Sequence, residues 1–217
     1  MIIILESATK VCSVVAVTND KTVIVKEETG EGFVHSERLA VLVDELMQSV
    51  VDELSAIAVS KGPGSYTGLR IGVSLAKGLA FAKNVPLISF CGLQAMASQT
   101  SSGYSFAAID ARRNEVFGKL LLNGEVVKET WAEDFDSPSE VWKSIGNNKV
   151  ALAGDCTEKV RVQLEAMGIA VEDSQVRPSA QHAVEQVLTK MENKTFEDTA
   201  YFVPQYLKDF MVTLPKK

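Results

Sequence analysis

Histidine and cysteine are scarce in this 217-residue chain, and the signatures built on them are missing. The two histidines, His35 and His182, cannot form an H-x-x-x-H or H-E-x-x-H pair, so that class of metal site is excluded. Each alone reads as a cap or a surface group. The three cysteines, Cys12, Cys91 and Cys156, stand far apart without C-x-x-C spacing. They offer neither a disulfide framework nor a zinc knuckle, and they suit a reducing compartment. No serine occupies a G-x-S-x-G elbow, and no Gly-Lys-Ser/Thr closes a Walker A loop. No catalytic or metal-binding residue is assigned. Basic charge is short as well: 22 Lys and Arg face 28 Asp and Glu, a net charge of −6, and neither half is a basic module. Phosphate binding needs clustered Lys and Arg, so the chain is not expected to hold nucleic acid by itself. No apolar run approaches the roughly 20 residues of a membrane span. Met1-Ile-Ile-Ile-Leu-Glu6 lacks the basic region of a signal peptide. The expectation is a soluble cytoplasmic protein.

What is present is globular in composition, 46% hydrophobic and 23% charged. β-branched runs predict strands over 2–5, 11–17 and 22–26. Leu39, Leu42, Val43, Leu46, Met47 and Val50 mark one face of a helix over 35–50. A strand over 56–59, a helix over 67–83, a strand over 86–90 and a helix over 93–99 follow. The pattern then starts again. Strands over 106–109, 116–122 and 126–130 surround Asn123-Gly124, a hairpin signal, and a shift of 104 residues lays Glu6 on Asp110 and Asn19 on Asn123. Helices over 138–145, 157–167 and 180–191 and a strand over 149–153 complete the second unit. Two β-β-β-α-β-α units predict an α/β fold of the actin-like ATPase (ribonuclease H-like) type, with lobes over 1–103 and 104–217.

Lys61-Gly62-Pro63-Gly64-Ser65-Tyr66-Thr67-Gly68-Leu69-Arg70-Ile71-Gly72 leaves a strand and opens a helix, where backbone N–H groups can attract an anion. It fits neither Walker A nor G-x-G-x-x-G, and the preferred reading is a tight turn followed by a contact helix. There Gly68, Gly72, Ala76 and Ala80 form a small-residue stripe that lets another backbone approach. In the first helix, Leu39-Ala40-Val41-Leu42-Val43 is more apolar than one face requires. It is either buried in the domain or shared with another subunit, and the second is preferred. Glu6 and Asp110 end equivalent strands, where an actin-like cleft would orient a metal-bound nucleotide. The loops after them hold no glycine, which argues against full ATPase chemistry. Arg112-Arg113 beside Asp110 reads as an ion pair rather than an RNA site. The tail from Tyr201 to Lys208 reads as an extended segment docked by its aromatics, or as a partner-binding tail.

His35-Ser36-Glu37-Arg38-Leu39, the glycine motif with Lys77-Gly78-Leu79-Ala80, Asp110-Ala111-Arg112-Arg113 with Glu115-Val116, and Pro204-Gln205-Tyr206-Leu207-Lys208 together resemble the TsaB (YeaZ) family. The resemblance implies a non-catalytic subunit of the bacterial machinery that makes threonylcarbamoyladenosine beside the tRNA anticodon. Such a subunit pairs with itself or with its catalytic paralogue TsaD, TsaE joins as an ATPase, and tRNA is met within the complex. TsaD-like chains bind a metal through H-x-x-x-H, where this chain has Gly92 and Met96. The common Asp-Thr-Ser near the N-terminus is Glu6-Ser7-Ala8 here, which weakens any nucleotide site. The expected partner interface is Leu39, Leu42, Val43, Leu46, Met47, Gly68, Arg70, Gly72, Leu75 and Ala76. A vestigial nucleotide site would use Glu6, Gly62, Gly64, Ser65, Thr67 and Asp110. No cofactor is expected on this chain alone, with ATP or ADP placed at the partner interface. The alternatives are a small actin-like kinase or ATPase, and a metallopeptidase.

Overall fold

The computed structural model describes residues 1–30, 34–100 and 103–208. The first unit runs β1 (Ile2–Glu6), β2 (Val11–Val17), β3 (Val23–Thr29), α1 (Val34–Ser49), β4 (Ala56–Ser60), α2 (Tyr66–Lys83), β5 (Leu87–Phe90) and α3 (Gly92–Ala97). The second runs β6 (Tyr104–Asp110), β7 (Glu115–Leu122), β8 (Glu125–Asp134), β9 (Val150–Gly154), α4 (Thr157–Ala166), β10 (Val171–Asp173) and α5 (Val184–Glu192). The sheets have the same order, β3-β2-β1-β4-β5 and β8-β7-β6-β9-β10. In each, an antiparallel meander continues into parallel strands reached through helices. The actin-like α/β class read from the repeated pattern is the fold observed.

Strand periodicity divides β1 between two cores. Ile3 and Leu5 face α1 and α2 with Val14, Ala16, Ile57 and Val59. Ile2 and Ile4 face the opposite side, where Ala180, Ala183 and Val187 from the end of the second unit cover them. The first sheet is therefore covered by α5 and the turn before it, the last helical segment among the described residues. The second sheet packs Phe106, Val116, Leu120, Val150 and Leu152 against Trp142, Ile145, Val160 and Leu164. Its other face meets α3 through Leu93, Met96 and Ala97, so α3 is wedged between the lobes.

Three elements differ from the sequence expectation. The helix expected over 138–145 is a short 3-10 turn, Glu140–Ser144. The buried Glu133 carboxylate organises it, accepting from Ser139 N–H at 2.9 Å, Ser139 Oγ at 2.7 Å and Trp142 Nε1 at 2.8 Å, and also from Trp131 Nε1. The segment over 180–191 opens as a 3-10 turn, Ala180–Ala183, before α5. Strand β10, with three residues, was not anticipated. No described helix is long and apolar enough to cross a membrane.

Candidate functional site

Residues of both lobes line a small cleft beside the first of the equivalent acids. Glu6, Ala8, Thr9 and Pro63 line it from the first unit, Gly92, Leu93 and Met96 from α3, and Ile109, Pro178 and Ser179 from the second. Glu6 is almost wholly buried. Burial pushes its carboxyl above the ordinary glutamate range, opposed by hydrogen bonds from the Ala8 N–H, at 2.7 Å, and from Ser60. A side chain at Gly92 would put its Cβ 2.7 Å from Glu6 Oε2, so glycine is what lets α3 close over the acid. The remaining cavity is about 10 Å³, room for one water molecule. Small-molecule sites occupy some 300 Å³ or more. Of the six residues read as a vestigial nucleotide site, Glu6 lines this cavity and Gly62, Gly64, Ser65, Thr67 and Asp110 do not, and the cavity itself has no space for a nucleotide in this conformation.

The glycine loop explains why. Gly62 has φ +97°, a value glycine tolerates freely. The loop then places Ser65 as the N-cap of α2, its Oγ accepting from Gly68 N–H at 3.2 Å. Ser65 N–H donates to the Ala8 carbonyl at 2.7 Å. Ser7 Oγ donates to the Gly68 carbonyl at 2.9 Å. The Ser65 N–H is thus spent on the chain's own β1–β2 turn and the Gly68 N–H on the Ser65 cap, and that turn lies where an anion would approach. Thr67 is exposed on the first turn. Asp110 is exposed and committed elsewhere: its Oδ1 accepts from Lys159 Nζ at 2.8 Å and from Arg112 N–H at 3.3 Å. The expected pairing of Asp110 with the arginine side chains is thereby corrected, because Lys159 occupies the carboxylate.

The interface residues divide in two. Leu39, Leu42, Val43 and Leu46 are at most 3% exposed and fill the core of the first lobe. The small-residue stripe is internal as well. A Cβ on Gly68 would fall 2.1 Å from the Ser7 carbonyl oxygen, and one on Gly72 2.2 Å from Ser7 Oγ, while Ala76 is buried in the core. The backbone that this stripe admits is the chain's own Ser7. Met47 and Leu75 are half-buried and Arg70 is exposed. What α1 and α2 leave outside includes Ala40, Val41, Asp44, Ser74 and Phe81, the last 83% exposed.

Sequence reasoning missed the contacts made by distant residues. The tail docks along α2: Lys77 Nζ donates to the Ala200 and Phe202 carbonyls at 3.0 Å, and Gln205 N–H to the Lys61 carbonyl at 2.7 Å. Tyr206 sits 4.9 Å from the Tyr66 ring, with the Arg70 guanidinium 4.1 Å over Tyr66. Lys208 pairs with Glu115 of the second lobe. His35 is buried rather than superficial, its Nε2 2.6 Å from the Thr9 carbonyl oxygen. A pattern of spacing cannot signal partners that lie outside the same element. Among the described residues, no group of three or more His, Cys, Asp or Glu could hold a metal.

Comparison with known proteins adds an independent line. The TsaD family, described as tRNA N6-adenosine threonylcarbamoyltransferase, matches residues 25–214. The chain is 31% identical over 153 residues to the tRNA threonylcarbamoyladenosine biosynthesis protein TsaB of Haemophilus influenzae, covering 67% of this chain and 61% of that one. It is 35% identical over 123 residues to Escherichia coli TsaB (54% and 52%) and 37% over 111 residues to Bacillus subtilis TsaB (49% and 48%). The chain thus spans about half to three fifths of the length of these relatives. Two solved structures from Pseudomonas aeruginosa share the fold. One is described as similar to peptidase YeaZ, with TM-score 0.78, and the other is YeaZ, with TM-score 0.75. Each is 23% identical and covers 95% of this chain and 99% of its own.

Proposed function

The chain belongs to the TsaD family, on its TsaB (YeaZ) branch, and from that premise we propose that it is a non-catalytic subunit of the cytoplasmic machinery that builds threonylcarbamoyladenosine in tRNA. It supports a TsaD-like transferase, with a TsaE-like ATPase and tRNA joining in the complex. The observation that carries the reading is the closed cleft, with about 10 Å³ of space over the buried Glu6. A site able to cradle a nucleotide would need a larger volume. Gly92 and Met96, where the resemblance places the transferase's histidines, line this cleft and offer no hard-metal ligand. Adenine nucleotide, where the complex uses it, belongs at the junction between chains. The partner, a TsaD-like paralogue or a second copy, meets the outer strip of α1 and α2, on which Val41 and Phe81 are exposed.

The test is reconstituted tRNA modification with a TsaD-like partner from the same organism, with and without this chain. Calorimetry of the isolated chain against ATP and Mg²⁺ accompanies it. Modification should depend on the chain, and the chain alone should bind no ATP at micromolar concentration. Undiminished modification without it overturns the proposal. Micromolar binding with turnover by the chain alone overturns it in favour of a kinase or ATPase.

A further inference from the structure

The turn between β6 and β7 carries two consecutive left-handed arginines, Arg112 at φ 70° and Arg113 at φ 53°. No other consecutive pair of non-glycine residues among those described has this conformation. The next turn of the same sheet also needs two left-handed residues, and there the sequence supplies Asn123 at 51° and Gly124 at 86°. Asn and Gly adopt that conformation readily, whereas a longer side chain is strained by its Cβ. Turn geometry therefore does not call for arginine at 112 and 113. Strain kept at an exposed position points to a task for the side chains.

The surrounding charges sharpen the point. Both arginines are exposed, and neither guanidinium has an ion-pair partner among the described residues, although four carboxylates lie close in the turn and its neighbours. Asp110 is held by Lys159 and Glu115 by Lys208. Asp136 is held by the Asn114 side-chain amide at 2.7 Å, and Asp134 accepts from the Asp136 N–H at 2.9 Å. The two lysines hold the nearest acids and leave both guanidinium groups without an ion-pair partner among the described residues, on a chain of net charge −6. A guanidinium fork matches phosphate oxygens. Both side chains are exposed on a hairpin turn and do not line the nearby cleft, which suits a strand passing over them rather than an enclosed small molecule, and that cleft has room for one water.

We propose that Arg112 and Arg113 bind backbone phosphates of the tRNA that the complex modifies. The inference rests on the function proposed above. Its test is fluorescence anisotropy of a labelled tRNA transcript against the complex of this chain with its TsaD-like partner, over a salt series. The variant R112N/R113G should raise the thermal midpoint of the isolated chain, because Asn and Gly suit the turn, and weaken tRNA binding about 10-fold. The slope of log affinity against log salt should become shallower by about 2, close to one per phosphate lost. R112K/R113K should keep most of the slope. Unchanged affinity and slope in R112N/R113G overturn the inference alone, whereas a wild-type complex that binds no tRNA removes the functional reading beneath it. Dissociation of the variant complex on size exclusion overturns the inference in favour of a protein contact. Loss of ATP binding with tRNA affinity intact overturns it in favour of a nucleotide.

Discussion

Gly72→Ala and Gly78→Ala place the same methyl group on the same helix and should act with opposite sign. A Cβ at Gly72 would lie 2.2 Å from Ser7 Oγ and 3.4 Å from Ser7 Cβ, while one at Gly78 meets nothing within 4 Å. Replacing a helical glycine by alanine favours the helix by about 1 kcal/mol, and Gly78→Ala should keep most of that gain. At Gly72 the gain is opposed by overpacking of about 1–3 kcal/mol. If Ser7 rotates away, its 2.9 Å hydrogen bond to the Gly68 carbonyl is lost as well, a further ~1 kcal/mol. The net expectation is destabilisation of about 2 kcal/mol, a fall in Tm of roughly 5 °C for a chain of this size. Urea and thermal unfolding of the isolated chain, at concentrations where the midpoint does not depend on protein concentration, measure both variants. The double variant Ser7→Ala/Gly72→Ala should recover the overpacking part, because Ser7 Oγ is the atom in the way. A Gly72→Ala chain as stable as Gly78→Ala, or no relief from Ser7→Ala, would refute the internal-packing argument and return the stripe to the role of an intermolecular surface.

Glu6→Gln should flatten the pH dependence of stability. The folded carboxyl titrates above its ordinary value of 4.5 because it is buried; as pH rises past that value the unfolded chain ionises first, and the folded state loses stability until the buried group also ionises. Urea midpoints should therefore favour the variant at pH 8 and converge with wild type near pH 4; parallel profiles would contradict this. Glu133→Ala strips the acceptor from Trp131, Trp142 and Ser139, and should cost about 3 kcal/mol and alter the tryptophan emission. Cys12 is buried, with its thiol pushed up to about 11 by desolvation and then by Glu28, and Cys156 is pushed up by burial with Asp155 and Asp110 adding to it. Neither should react quickly with a disulfide reagent at pH 8 until urea is added; rapid labelling of either in the native protein would disprove the burial argument.

The fold was legible because β1 with β2 and β6 with β7 repeat the same apolar strand, acid and turn, a local signal that survives without residue identity. The ownership of apolar surface was not. Leu39, Leu42 and Val43 state that a helix face must be covered, but periodicity cannot say whether a sheet of the same chain or another chain covers it. The glycine stripe carried the same ambiguity, and the Ser7 turn, sixty residues upstream, resolves it. The segment over 138–145 has helical spacing, yet Glu133 gathers Ser139 and Trp142 into a tighter turn. Strand β10 is too short and too exposed to show a period of two. The two acids were found from their strand-end positions, while the occupation of Asp110 by Lys159 depends on α4, which follows three further strands.

The return of α5 to the first sheet has a consequence for synthesis. Ile2, Ile4, Val15 and Val17 are made well before Ala180, Ala183 and Val187, which shelter them. Until α5 has left the ribosome, one side of the first sheet stands open as an apolar surface of the kind that chaperones and sticky neighbours seek. Contacts of such long sequence separation also slow folding. A nascent chain that halts before residue 180 therefore presents a sheet complete in its hydrogen bonds and half bare, so that synthesis of residues 180–187 and burial of that surface are coupled.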